Sequence, residues 1–127
     1  MRVCSVNQSS TLTFTFRTWA DGSQPGSIDP SHKGPCAVFM KSVSSPLNST
    51  AVGDGWFKIF DSTYDPTTNQ WCTETLITNN GLLSVTVPSD LTGGYYIVRS
   101  ELLALHQADK MPPNPQFYVG CAQIFLN

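Results

Sequence analysis

The chain has few charged residues, and they form no cluster of one sign. Charged side chains make up 13% of its 127 residues, with seven Lys+Arg against nine Asp+Glu, and the net charge is −2. A nucleic-acid binder needs grouped basic side chains to neutralise phosphates, so that class of partner is excluded. A long charged helix or a coiled coil would be rich in Ala, Glu, Lys and Leu, and this composition argues against both.

Long hydrophobic runs are also lacking. No apolar stretch approaches the roughly 18 residues that a membrane-spanning helix needs. No apolar segment of the signal-peptide kind follows the opening residues Met1-Arg2-Val3-Cys4. We therefore expect a soluble chain with no membrane partner and no signal peptide within it. Its length suits a single domain over residues 1–127, and we expect a monomer.

Helix signals are scarce, and strand and turn signals take their place. The chain has nine Gly and nine Pro, and Ser and Thr together outnumber the charged residues. Alternating or β-rich runs predict strands at residues 11–19, 36–43, 56–60, 83–87 and 116–126. Residues 71–78 read as a short strand or an irregular segment. Residues 95–106 fit either a continuous strand or a helix capped by Ser100. Short strands at this spacing predict an all-β sandwich with long loops.

Four cysteines without a CxxC pair point away from zinc and towards two disulfides. An even number of cysteines fits an oxidising compartment. The sequons Asn7-Gln8-Ser9 and Asn48-Ser49-Thr50 agree with an extracellular location and make Asn7 and Asn48 candidate glycosylation sites.

The chain has only two histidines, and both lie next to proline-rich loops. His32 lies in the Pro- and Gly-rich segment 20–35, and His106 precedes a second proline-rich stretch. Neither a G-x-S-x-G hydrolase motif nor a telling carboxylate pair accompanies them. Taken alone, each histidine is explained as readily by a surface or structural role as by a functional one. Gln116 and Tyr118 share one face of a predicted strand, where they form either a hydrogen-bonded core pair or, beside a histidine, a metal or oxygen site.

Five ordered segments carry a resemblance to a known family, and together they span nearly the whole chain. They are Ser31-His32-Lys33-Gly34-Pro35, Gly53-Asp54-Gly55-Trp56-Phe57-Lys58-Ile59, Val85-Thr86-Val87-Pro88-Ser89-Asp90-Leu91, Glu101-Leu102-Leu103-Ala104-Leu105-His106 and Gln116-Phe117-Tyr118-Val119-Gly120-Cys121. In this order they closely resemble the fungal lytic polysaccharide monooxygenases of auxiliary activity family nine, formerly grouped with glycoside hydrolases.

The resemblance implies a secreted copper enzyme on an immunoglobulin/fibronectin-III-like antiparallel β-sandwich. It assigns His32 as a ligand of one copper ion and Tyr118 as the axial residue. It also assigns His106 and Gln116 to hydrogen bonds with the bound oxygen species. The implied reaction is oxidative cleavage of cellulose or a related β-1,4-glucan, with an external electron donor and O₂ or H₂O₂. Nitrogen ligands of this kind suit Cu(II).

The resemblance also implies local structure. It favours a strand over the helix through Tyr96–His106. It pairs Cys4 with Cys121, and in a subset of the family Cys36 with Cys72.

The sequence departs from the family pattern at both ends. Family members are longer and begin with a copper-binding histidine, for which this chain has no counterpart, and the C-terminal loop has none either. We therefore expect a sandwich that is incomplete at the N-terminus, an incomplete copper site and little or no monooxygenase activity. The alternative is a non-catalytic polysaccharide-binding sandwich or an inactive remnant, in which four aromatic residues could stack on sugar: Trp19, Tyr64, Trp71 and Tyr95.

Overall fold

The computed structural model describes residues 3–46 and 49–127, and most of its regular structure is β-strand. The strands are β1 (Cys4–Val6), β2 (Thr11–Thr15), β3 (Cys36–Val43), β4 (Trp56–Ser62), β5 (Tyr64–Asp65), β6 (Gln70–Trp71), β7 (Leu82–Thr86), β8 (Gly94–Ala104) and β9 (Gln116–Leu126). One short helix in the described ranges, α1 (Cys72–Thr78), separates β6 from β7. The sequon residue Asn48 lies outside the described residues.

The strands form one large sheet and two small ones. The large sheet has the order β1-β9-β8-β3-β4, in which β1 runs parallel to β9 and the other neighbours are antiparallel. Strands β2 and β7 pair as an antiparallel layer, and β5 pairs with β6.

The core lies between the large sheet and the β2–β7 layer. Alternate residues of β8 point inwards and are buried, among them Val98, Leu102 and Ala104. From the opposite layer, Leu83 and Val85 of β7 are buried, and Leu12 and Phe14 of β2 pack against them. Period-two burial on both layers is the pattern of a sandwich, so the predicted all-β sandwich is confirmed.

Strand β8 resolves the ambiguity of residues 95–106 in favour of the strand. Its residues pair with β3 on one side and with β9 on the other. Two neighbouring strands satisfy its backbone groups on both edges, and this outweighs the helix propensity of Ser100–Leu105. The strand ends at Ala104, two residues before His106.

Helix α1 corrects the expectation for residues 71–78, which were expected to form a strand or an irregular segment. Cys72, Thr73 and Leu76 are buried, which is the spacing of one helical face. Glu74 accepts a hydrogen bond from the backbone N–H of Trp71 at 2.9 Å and so satisfies one free donor at the helix start. Gly81, with φ of +79°, closes the other end by donating to the carbonyl of Leu76 at 2.8 Å.

The cysteines pair differently from the expectation. Cys36 of β3 and Cys72 of α1 form the expected disulfide, with Cα atoms 5.7 Å apart. Cys4 and Cys121 are both free and exposed, so the expected second disulfide is absent. The parallel register sets Cys4 beside Ile124, three residues from Cys121. Three residues of strand span about 10 Å, and two Cα atoms more than about 7 Å apart cannot be bridged.

None of the described helices is long and apolar enough to cross a membrane.

Candidate functional site

His32 lies at the end of a tight turn that precedes β3. The carboxylate of Asp29 accepts the N–H of Ser31 at 2.8 Å, and the Asp29 carbonyl accepts the N–H of His32 at 2.9 Å. An aspartate that bonds the N–H two residues on mimics a backbone turn, so this geometry is local. The side chain of His32 is 19% exposed. Neither Asp29 nor Ser31 was expected to act at the site, although the order Asp29-Pro30-Ser31 is a turn signal.

The other three candidates come from where β8 ends and β9 begins. Register places Gln116 opposite Ala104 and Tyr118 opposite Leu102. The Tyr118 hydroxyl donates to Oε1 of Gln116 at 2.9 Å, which confirms that the two side chains share a face. His106 lies just beyond β8, in a turn where Ala108 N–H donates to the Leu105 carbonyl at 2.9 Å.

The fold brings His32, His106 and Tyr118 into contact. The ring centroids of His32 and His106 are 4.0 Å apart with an interplanar angle of 34°, and those of His32 and Tyr118 are 5.7 Å apart. Gln116 joins the group through its bond to Tyr118. All four residues singled out in the sequence for chemistry therefore form one cluster, drawn from a loop, a strand end and a strand.

A carboxylate borders the cluster. Asp29 Oδ1 lies 3.8 Å from His32 Nδ1, while Ser31 Oγ lies 3.1 Å from the same nitrogen. The pKa of Asp29 is lowered, first by the hydrogen bond from the Ser31 hydroxyl, then by its backbone N–H, with smaller contributions from His32 and His106. Asp29 is therefore held as a carboxylate beside the imidazole.

One atom in the cluster is buried without a partner among the described residues. This is Nδ1 of His106, a nitrogen that can either donate or accept a hydrogen bond. A buried polar atom without a partner is costly, and a functional role or an additional group at the site is a usual explanation.

The donors suit copper in kind, but they are few. Contact with Ser31 occupies Nδ1 of His32 and leaves Nε2 as the nitrogen for a ligand, and Tyr118 offers a phenol oxygen. Imidazole nitrogens suit copper. Across the described ranges, no group of three or more His, Cys, Asp or Glu could hold a metal ion. The cluster therefore offers one imidazole nitrogen and one phenol oxygen to a ligand.

The four aromatic candidates for sugar stacking do not gather at this cluster. Tyr64 and Trp71 pack on each other with centroids 5.4 Å apart. Tyr95 packs on Phe125 at 4.9 Å, seven register positions along β8 from Leu102, the partner of Tyr118. Trp19 is 52% exposed and lies four residues beyond the end of β2, outside the shorter strand that forms where residues 11–19 were expected to be one.

The whole chain is similar to one enzyme family. A family model described as Auxiliary Activity family 9 (formerly GH61) matches residues 1–127. The AA9 family lytic polysaccharide monooxygenase H of Botryotinia fuckeliana is 68% identical over 99% of this chain and 29% of its own length. The corresponding enzyme A of Emericella nidulans is 66% identical over 98% of this chain and 22% of its own length.

Solved structures share the fold. CvAA9A superposes with a TM-score of 0.89 at 32% identity, covering 100% of this chain and 57% of that one. HiLPMO9B has a TM-score of 0.79 at 29% identity, covering 99% and 52%. The chain therefore spans about a quarter of the length of these two fungal relatives and just over half of the solved chains.

Proposed function

Since the chain belongs to Auxiliary Activity family 9, we propose that it forms the portion of a secreted, copper-dependent monooxygenase that carries the internal metal-binding histidine. The substrate is cellulose or a related β-1,4-glucan, cleaved oxidatively with an external electron donor and O₂ or H₂O₂. The observation that carries this proposal is the contact of His32 with both His106 and Tyr118, since three separate elements contribute to one cluster.

His32 and Tyr118 are the residues that would hold the copper ion. Nε2 of His32 is the nitrogen donor, and the Tyr118 hydroxyl is held in place by its bond to Gln116 Oε1. When bound, copper supplies the one-electron chemistry needed to activate O₂ or H₂O₂.

His106 and Gln116 supply hydrogen bonds and a proton. Because Gln116 Oε1 accepts from Tyr118, its amide nitrogen remains to donate to the oxidant. The rings of His106 and His32 have centroids 4.0 Å apart, so the His106 imidazole is the group that would hold a proton beside His32. Groups at hydrogen-bond distance that hold a proton in this way act as general acids.

The second candidate is a non-catalytic polysaccharide-binding sandwich or an inactive remnant. The chain has two histidines in total, and the family resemblance assigns only His32 as a ligand. One imidazole and one phenol form a weak copper site, which favours this candidate for the polypeptide on its own. Stacking of sugar on Trp19, Tyr64, Trp71 or Tyr95 would then account for binding.

Copper titration by calorimetry tests the site. We expect weak binding by the chain, and weaker binding still by His32→Ala and Tyr118→Phe. The exposed Lys110→Ala variant serves as the control and should match the unaltered chain. The same chain extended by an N-terminal segment that begins with histidine should bind copper much more tightly.

Release of oxidised oligosaccharides from cellulose separates the two candidates. The extended chain with a reductant should release them, and the unextended chain should release few or none. Sub-micromolar copper affinity with turnover by the unextended chain would contradict the incomplete site. Copper binding that is unaffected by His32→Ala would contradict the assignment of His32. Cellulose binding that is lost in Trp19→Ala, with no oxidation by either chain, would favour the binding module.

A further inference from the structure

The first turn of helix α1 is bonded at several points to the segment of chain that carries His32. Lys33 Nζ lies 2.9 Å from Oε1 of Glu74. The N–H of Gly34 donates to the hydroxyl of Thr73 at 3.0 Å, and the N–H of Thr73 donates back to the Gly34 carbonyl at 3.2 Å. Two residues further on, Cys36 is bonded to Cys72. Three successive helix residues therefore hold the five residues that begin at His32.

Strand β8 and the residue just beyond its end also hold the same segment. Leu105 N–H donates to the Lys33 carbonyl at 2.9 Å, and Leu103 N–H donates to the Pro35 carbonyl at 3.0 Å. Leu105 directly precedes His106, so the bond to Lys33 links the backbones next to both histidines. A displacement of α1 would therefore move the His32 segment and change the contact between the two imidazoles.

We propose that Thr73 and Glu74 are positioning residues that hold His32 against His106. The metal-related part of this inference rests on the proposed function, whereas the positioning itself concerns only the two imidazoles. Neither residue touches the cluster, and both act through the segment that carries His32.

Burial makes Thr73 the stronger of the two. The residue is 1% exposed, and its hydroxyl is the partner of a buried backbone N–H. Removing the hydroxyl would leave that N–H without a partner, which costs more than the net value of an ordinary hydrogen bond. Lys33 and Glu74 are 57% and 23% exposed, so solvent screens their attraction and its effect is smaller.

The matched pair Thr73→Val and Thr73→Ser tests the hydroxyl. Valine keeps the shape and loses the acceptor, while serine keeps the acceptor. The readout is the nuclear Overhauser effect between ring protons of His32 and His106 in the metal-free chain, which their 4.0 Å centroid distance makes observable. We expect it to be lost in Thr73→Val and retained in Thr73→Ser. Retention in a folded Thr73→Val, or its loss in both variants, would overturn the role of the hydroxyl.

Copper affinity provides the second readout. Groups that orient a metal ligand from outside the coordination sphere change affinity by about 10- to 100-fold, so we expect about a tenfold loss in Thr73→Val, with rescue in Thr73→Ser. If no variant binds copper, the proposed function fails while the proton–proton contact still decides the positioning.

If Thr73→Val does not fold, Glu74→Gln provides a second test of the positioning. It retains an oxygen for the Trp71 N–H and loses the charge that faces Lys33. We expect a weaker His32–His106 contact and a copper affinity lower by about two- to threefold, as for an exposed ion pair. An unchanged contact in Glu74→Gln would overturn its positioning role.

Discussion

Gly34 shows how one residue without a side chain fixes the candidate site. A Cβ at this position would lie 1.7 Å from the carbonyl oxygen of Leu103, which is a backbone atom that cannot rotate away. The absence of a side chain lets the His32 segment approach β8 closely enough for the Leu105–Lys33 and Leu103–Pro35 hydrogen bonds to form. The contact between His32 and His106 depends on this approach.

Gly34→Ala should therefore destabilise the fold strongly. The segment must move away from β8, so we expect a loss of about 2 kcal/mol or more in the free energy of unfolding, measured by urea denaturation. Gly120→Ala is the control, because its added Cβ would meet only Ser100 Oγ at 3.7 Å and should change stability by less than about 0.5 kcal/mol. Equal effects of the two substitutions would contradict the close approach.

At the scale of an element, one carboxylate in the first turn of α1 both forms an ion pair and accepts a hydrogen bond that caps the helix. Glu74 accepts from the Trp71 N–H and pairs with Lys33, and its pKa is lowered by Lys33 first and by the Trp71 N–H second. A carboxylate whose pKa falls on folding stabilises the native state above its unfolded pKa. That stabilisation is lost as the pH falls through the folded value.

The pH dependence of stability should therefore differ between the unaltered chain and Glu74→Gln. We expect the unaltered chain to melt at a higher temperature at pH 7. This difference in melting temperature should narrow below the ordinary glutamate pKa of about 4.3, and it should vanish once Glu74 is protonated in the folded state. Circular dichroism melts between pH 7 and pH 3 measure it.

The control for this experiment is Asp61→Asn, which breaks the Lys58–Asp61 pair. Both partners are about half exposed, at 49% and 58%. The difference in melting temperature between Asp61→Asn and the unaltered chain should therefore be smaller at every pH than the difference for Glu74→Gln. A gap between the unaltered chain and Glu74→Gln that does not change with pH would contradict the electrostatic cause.

At the scale of the whole molecule, the two layers of the sandwich are unequal. The inward-facing residues Ile124 and Leu126 of β9 are buried, but Tyr118 on the same face is 39% exposed. Residues 117–122 of β9 are exposed, and β1 pairs with Ile124–Leu126 alone. This open end leaves Tyr118 at the surface, with the two histidines beside it.

The Cys36–Cys72 disulfide ties the large sheet to α1, and its removal should be costly. Its closed loop spans a sequence separation of 36 residues, for which chain entropy gives about 3–4 kcal/mol. We expect Cys36→Ser with Cys72→Ser to lose about that much in urea denaturation. Cys4→Ser with Cys121→Ser, which alters the two free exposed thiols, should change stability by less than about 0.5 kcal/mol.

Thiol counting by mass spectrometry checks the same assignment without mutation. Alkylation of the denatured, unreduced chain should label two cysteines, Cys4 and Cys121. If none of the four cysteines is alkylated, Cys4 and Cys121 also pair in solution.

Local patterns in the sequence were sufficient where a strand's own residues decide its structure. Strands β3 and β9 have the predicted bounds, because alternating and β-branched runs specify both extension and the buried face. The shared face of Gln116 and Tyr118 follows from the same period of two.

The tertiary structure decided whatever depends on partners distant in the sequence. Residues 94–104 became a strand because β3 and β9 offer hydrogen bonds on both edges, and residues 72–78 became a helix because Cys72, Thr73 and Leu76 could be buried together. Register kept Cys4 away from Cys121, which no count of cysteines could show. The sequence by itself determined strands β3 and β9 and the sandwich class, and it singled out the four candidate residues. Only the packing of α1 and β8 around Gly34 determined that His32 and His106 meet, because that contact joins segments whose separation along the chain no local pattern specifies.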